Sequence, residues 1–338
     1  MTDATFLRRV LILVGVGAVV ALAWQLRQVV LLLFGATLLS VGLTGAAGAL
    51  ARRTGLGPKA SLAIVVVGLV VGLGLILGFF GWRLQAQISQ AAGLLPAAFS
   101  SLMGRIEATP IGHRLVGELN GARLGPLVMH VPSYALATVK GIAEALVVVV
   151  GGVYLAAQPR MYRQGLLRLM PEKTRERFAP LLGEFADQLR RWLLTQLIAM
   201  VVVGVAIGIG LTILGVPASA ALGLFAGLME FVPIVGQFVG GIPAVLLALF
   251  SSPDKGLSAL ALFVVVQQLE SNLLIPFLQQ RMMRVPPMIS LFAMAIFGLV
   301  FGGLGVILAM PLTIVCSVAV RRLYLDRRSL PAASARVK

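Results

Sequence analysis

The sequence predicts an all-α polytopic membrane protein: about six full transmembrane helices, two interrupted re-entrant helical hairpins, and short amphipathic helical inserts. Three observations predict it. Of 338 residues, 59% are hydrophobic and only 12% charged, and mean hydropathy is +0.99, more apolar surface than a soluble core can use. Apolar runs long enough to cross a bilayer recur along the chain. Two further runs, 218–250 and 288–320, are interrupted by glycine and proline.

Residues 1–82 hold spans 1 to 3, at about Val10–Leu26, Gln28–Leu50 and Ala60–Trp82. Arg8-Arg9 followed by an apolar run imitates an export signal, but further apolar runs follow at once, so an uncleaved first span is expected. Span 3 carries Gly68-x3-Gly72 and Gly74-x3-Gly78, small-residue spacing that lets helix backbones approach in lipid. Residues 83–132 form an extracytoplasmic insert, with Leu84, Ile88, Ala91 and Leu95 at the spacing of a surface helix. Span 4 occupies 133–158. In it Lys140 and Glu144 lie four apart, the spacing of a structural ion pair.

Residues 159–191 are basic and amphipathic, with the apolar stripe Phe178, Leu181, Leu182, Phe185 and Leu189. Such a helix docks on the bundle or packs against another copy. Residues 192–320 are the expected core of the protein: span 5, the hairpin 218–250, span 6 at 257–275, and the hairpin 288–320. Pro233, Gly236, Gly240 and Pro243 interrupt the first hairpin, and Gly302, Gly303, Gly305 and Pro311 the second. The two echo one another, since Leu224-Phe225-Ala226 precedes Pro243 much as Leu291-Phe292-Ala293 precedes Pro311. Paired interrupted segments point to a transporter binding site. Residues 321–338 are a basic tail.

Charge sets the expected orientation. With both hairpins re-entrant, 21 of the 28 Lys and Arg residues fall on one face, which makes that face cytoplasmic and puts both termini there. The formal net charge of +16 is therefore read as inner-leaflet loops and not as a nucleic-acid surface. The bilayer is the expected partner.

Enzymatic chemistry finds little support. No Gly-Lys pair supplies a phosphate loop, and the two histidines, His113 and His130, have no metal-binding context. One cysteine, Cys316, excludes an internal disulfide. No cofactor and no metal are expected.

The polar residues within the apolar core point to transport. Glu230 stands just before the first interruption. Gln267, Glu270 and Ser271 share about a third of the span 6 circumference, flanked by Gln268 and Asn272. Carboxyls and broken backbone at membrane depth are tolerated inside protein or beside a water-filled cavity. Glu230 and Glu270 are candidates for proton or cation coupling. Gln237, Gln267, Gln268 and Asn272 are candidates to hydrogen-bond a small polar solute. A structural role for both glutamates stays open.

Glu230-Phe-Val-Pro-Ile-Val-Gly236, Gly240-Gly-Ile-Pro243, Gln267-Gln-Leu-Glu270-Ser-Asn272 with Pro276, and Phe301-Gly-Gly-Leu-Gly305 with Pro311 resemble the autoinducer-2 exporter family of prokaryotic membrane proteins. The resemblance covers nearly the whole chain and implies an oligomeric, permease-like protein of the inner membrane. It implies secondary, ion- or proton-coupled efflux of a small polar solute such as the autoinducer-2 signal, or Na⁺(Li⁺)/H⁺ antiport. A non-transporting scaffold and a passive oligomeric pore are the remaining alternatives. The chain departs from the family pattern at Gln237, where proline is common, and at Ser271 and Thr195, where glycine is.

Overall fold

A computed structural model describes residues 3–79, 131–278 and 286–325. The insert expected at 83–132 lies outside the described residues except for its last two positions. So do both histidines, Arg281, Arg284 and the tail beyond Leu325. The described chain is helical, with no strand among the described residues. In order it forms α1 (Asp3–Thr54), α2 (Pro58–Phe79), α3 (Val131–Ala157), α4 (Pro159–Arg168), α5 (Glu172–Ile213), α6 (Ser219–Met229), α7 (Val235–Ser251) and α8 (Pro253–Leu269). A π-helical turn (Glu270–Leu274), α9 (Ile275–Leu278), α10 (Pro287–Phe301), α11 (Gly303–Val320) and a second π-helical turn (Arg321–Leu325) complete it. Five of these helices are long and apolar enough to cross a membrane, or six if α3 and α4 count as one bent span. The chain is a multi-pass membrane protein.

Two expected boundaries are absent. Spans 1 and 2 are one helix, α1, of 52 residues. At about 1.5 Å per residue it is roughly 78 Å long. The cause is local: Trp24-Gln25-Leu26-Arg27-Gln28 contains no glycine, proline or short polar residue to break the ladder. The amphipathic segment and span 5 are likewise one helix, α5, of 42 residues, with Pro180 tolerated inside it.

A third difference concerns span 6, which Pro276 does not stop. The chain widens into a π turn, where the N–H of Ile275 reaches the carbonyl of Glu270 five residues back. Helix α9 then carries on through Pro276. A wide turn before a proline relieves the clash that its ring makes with the preceding turn.

The described residues fall into two compact units, one from 1–62, 144–190 and 285–338, the other from 63–143 and 191–284. In the first, α1 packs on α3 where Ala36 meets Gly151 and Leu39 meets Gly152. Gln28 Nε2 donates to Glu144 Oε1, so Glu144 is held from α1; the side chain of its expected partner, Lys140, is outside the described residues. Leu181 and Leu189 of α5 are buried, as docking on the bundle requires. The hairpin α10–α11 belongs to this unit and turns at Gly302 alone.

The second unit holds the hairpin α6–α7, packed with the latter part of α5 and with α8 around Val203, Ile207, Leu211, Leu222, Ala244 and Ala259. The helix crossing that matters here is not in span 3. A Cβ on Gly68, Gly72, Gly74 or Gly78 would meet nothing within 4 Å. Gly204 and Gly208 of α5 instead face Gly223 and Gly227 of α6. A Cβ on Gly223 would lie 2.5 Å from Gly208 Cα, and one on Gly227 would lie 2.6 Å from the Met200 carbonyl oxygen. Both helices present glycines four apart, so the backbones touch.

Both hairpins turn at fewer positions than expected. The first breaks over residues 230–234, which include Pro233 but not Gly236, Gly240 or Pro243, all within α7. In the second, Gly303, Gly305 and Pro311 lie within α11. Gly236 and Gly305 serve close packing instead: a Cβ on Gly236 would fall 1.9 Å from the Met229 carbonyl oxygen, and one on Gly305 would fall 2.0 Å from that of Phe297. With 11 and 17 residues, the arms of the first hairpin are about 17 and 26 Å long, each short of a hydrocarbon core of about 30 Å.

Candidate functional site

The site grows from the five-residue break between α6 and α7. Helix α6 ends at Met229, with Glu230 as its cap, and α7 begins at Val235. Between them Ile234 adopts φ 69° and ψ −59°, and the Val235 N–H donates to the Pro233 carbonyl at 2.8 Å. That is a γ-turn, a strained geometry for any side chain and most of all for a β-branched one. The Gly236 N–H returns to the Val232 carbonyl at 2.7 Å. The Glu230 carbonyl accepts from Gln196 Nε2 of α5 at 2.5 Å. Trp192 of α5 meets Phe231 edge to face, with centroids 5.6 Å apart. Thus α5 clasps the break through an amide and an indole one turn apart.

Opposite the break stands the π turn of span 6. Glu230 and Glu270 are only 3% and 7% exposed. The two carboxyl groups are close enough to act on each other electrostatically. Two bare carboxylates brought close together in a buried setting repel each other. Glu270 Oε2 is buried and has no hydrogen-bond partner among the described residues. Buried polar atoms nearly always find one, so this exception calls for a physical reason. Glu270 also lines an otherwise apolar groove of about 380 Å³ between α5 and span 6, with Val203, Ala206, Leu273 and Phe277. The π turn itself is a feature that recurs at functional positions.

A second groove, of about 470 Å³, lies between α7 and α8. Gln237, Gln267 and Gln268 line it with Phe238, Ile242 and Phe263. Asn272 is tied to Gln268 by hydrogen bonds from Nδ2 to the carbonyl at 2.9 Å and to Oε1 at 3.0 Å. Gln267 Nε2 donates to Ser271 Oγ at 3.2 Å. All six residues expected at the site therefore fall in one unit. The second hairpin, with Gly302, Gly303, Gly305 and Pro311, falls in the other.

Sequence reasoning missed Gln196. It is a lone buried amide in an apolar helix, and its one signal was its place beside Thr195, a departure from the family pattern. All three departures sit around the site. Thr195 is buried next to Gln196, Gln237 lines the groove, and Ser271 anchors Gln267.

Comparison with known proteins agrees with this architecture. A family model described as "AI-2E family transporter" matches residues 11–325. The chain is 30% identical to YrrI of Bacillus subtilis over 49% of its own length and 47% of that protein's. It is 32% identical to YueF of the same organism over 43% and 39%. Against PerM of Escherichia coli K12 the identity is 24%, over 67% and 64%. The first two are named provisionally as transport proteins and the third as a permease. Each alignment spans less than two thirds of the relative's length.

Proposed function

This chain belongs to the AI-2E transporter family, and on that premise we propose that it is a secondary transporter whose coupling element is the Glu230–Glu270 pair. The observation that carries the reading is the meeting of two buried carboxyls where a broken hairpin faces a π turn, with Glu270 Oε2 left unpartnered. A proton or cation held there neutralises the pair, and its loss restores repulsion. The break is the element free to answer by moving. Gln237, Gln267, Gln268 and Asn272 supply uncharged hydrogen-bonding groups to a small polar solute. Export of a signal such as autoinducer-2 is the substrate that the family resemblance supplies. We read the chain as a carrier and not an enzyme.

Purified protein in proteoliposomes, assayed for flux with and without an imposed pH gradient, tests this. Glu230→Gln and Glu270→Gln should each abolish the dependence on the gradient. Unchanged dependence in either variant removes that residue from coupling. The unpartnered carboxylate oxygen also favours Na⁺(Li⁺)/H⁺ antiport, which a sodium-dependent pH change in vesicles holding no organic solute would reveal.

The orientation in the inner membrane follows from charge. From residue 52 onward, 19 of the 28 basic residues lie in segments that share one face if both hairpins are re-entrant, and we assign that face to the cytoplasm. With α1 crossing once, the N-terminus moves to the opposite face while the C-tail stays inside. Cysteine labelling near each terminus checks both assignments. Copies of the chain are proposed to associate as a homo-oligomer, which the mass of the protein in nanodiscs tests.

A further inference from the structure

At Gln158 the chain turns by 90° between α3, the expected span 4, and the ten-residue α4. Transmembrane helices stand near the bilayer normal, so a helix leaving one at a right angle lies near the membrane plane. Pro159 at its first turn starts α4 cleanly.

Its side chains divide into three faces at about 100° per residue. Met161, Tyr162, Leu166 and the following Leu169 fall within about 140° of arc. All four are exposed. Arg163 points the other way, and its Nη2 donates to the Ala179 carbonyl of α5 at 2.9 Å. From α5, Arg175 Nε donates to the Leu167 carbonyl at 2.9 Å and so closes the end of α4. Arg168 lies at the border of the apolar arc, while Arg160 and Gln164 lie farther round, on the side away from it. Arg160 and Arg168 are exposed, and neither makes a side-chain hydrogen bond or ion pair among the described residues.

Of the four arginines at this corner, two are spent on backbone carbonyls and clamp α4 to α5. Of the other two, Arg168 borders an apolar face that no described residue covers, and Arg160 stands on the opposite, outward side. We propose that α4 is an interfacial helix that seats its apolar arc among acyl chains and binds anionic phospholipid headgroups through Arg168, with Arg160 adding attraction from the outward side. The pairing is one of shape and charge: the apolar arc demands the headgroup–acyl boundary, and the Arg168 guanidinium at its border is suited to phosphate esters at that depth. The surface holds its lipid whether or not the Glu230–Glu270 pair couples transport.

The test is native mass spectrometry of the full chain released from micelles, titrated separately with phosphatidylglycerol and phosphatidylcholine. The wild type should prefer phosphatidylglycerol. Arg168→Gln should lower that preference roughly fivefold, Arg160→Gln should lower it less, and Arg160→Lys/Arg168→Lys should keep most of it. Met161→Ser/Leu166→Ser should weaken retention of both lipids alike. An unchanged preference in Arg160→Gln/Arg168→Gln overturns the proposal, as does unaltered retention in the serine variant. Full displacement of phosphatidylglycerol by millimolar inorganic phosphate would also overturn it, because the site would then read a soluble anion.

Discussion

Ile234 and Gly302 occupy the same position in the two hairpins, 68 residues apart. Each immediately precedes the second arm, and each has positive φ, 69° and 71°. Eight residues after each second arm begins stands a proline, Pro243 from Val235 and Pro311 from Gly303. The second hairpin fills the strained position with glycine, which adopts it freely. The first fills it with isoleucine, which does not.

Ile234→Gly should therefore relax the first hairpin. Strain of this kind is worth about 1–3 kcal/mol, offset by the greater freedom of glycine in the unfolded chain. The expected outcome is a thermal midpoint raised by a degree or more in detergent, with pH-driven flux slowed if the strain helps the break to move. A lowered midpoint would show the γ-turn to be unstrained.

Gly223→Ala should destabilise by about 1–3 kcal/mol, because the new methyl meets backbone that cannot step aside. Gly68→Ala, with open space around its Cβ, should be neutral or gain up to about 1 kcal/mol from helix propensity. Thermal unfolding of the two variants side by side checks the contrast.

Gln196→Leu removes the donor that satisfies the Glu230 carbonyl. The cost of stranding that group is about 1–3 kcal/mol. Flux should fall with the melting temperature, since the break loses the contact that holds it to α5. Full flux with a lowered midpoint would make Gln196 purely structural.

Arg322 Nε lies 2.6 Å from Glu184 Oε2, but the two side chains are 55% and 23% exposed. A double-mutant cycle on Arg322→Ala and Glu184→Ala should give a coupling below about 1 kcal/mol. Added salt should reduce it further.

Much of this was legible in the chain because glycine, proline and buried charge are loud signals in an apolar background. The break beside Glu230 and the polar stripe from Gln267 to Asn272 were both marked that way. Helix continuity was not. Hydropathy shows how much chain a bilayer can hold, but not whether the chain turns, so α1 was divided at Arg27 on length alone. The crossing of Gly204 and Gly208 with Gly223 and Gly227 was hidden by abundance, in a sequence with 38 glycines. Ile234 was hidden by its own preference, for no local rule places a β-branched residue at positive φ. Pro276 misled because the wide turn before it absorbs a clash that would ordinarily end a helix.

That wide turn at Glu270–Leu274 carries one residue more than α geometry requires. A surplus of this kind behaves like a dislocation in a crystal: it can migrate a step along the rod without tearing it. Each step swings the residue it passes by about 100° around the axis. Glu270 sits at its leading edge, so one glide of the defect would carry the carboxyl away from Glu230 while both ends of the rod stayed in place.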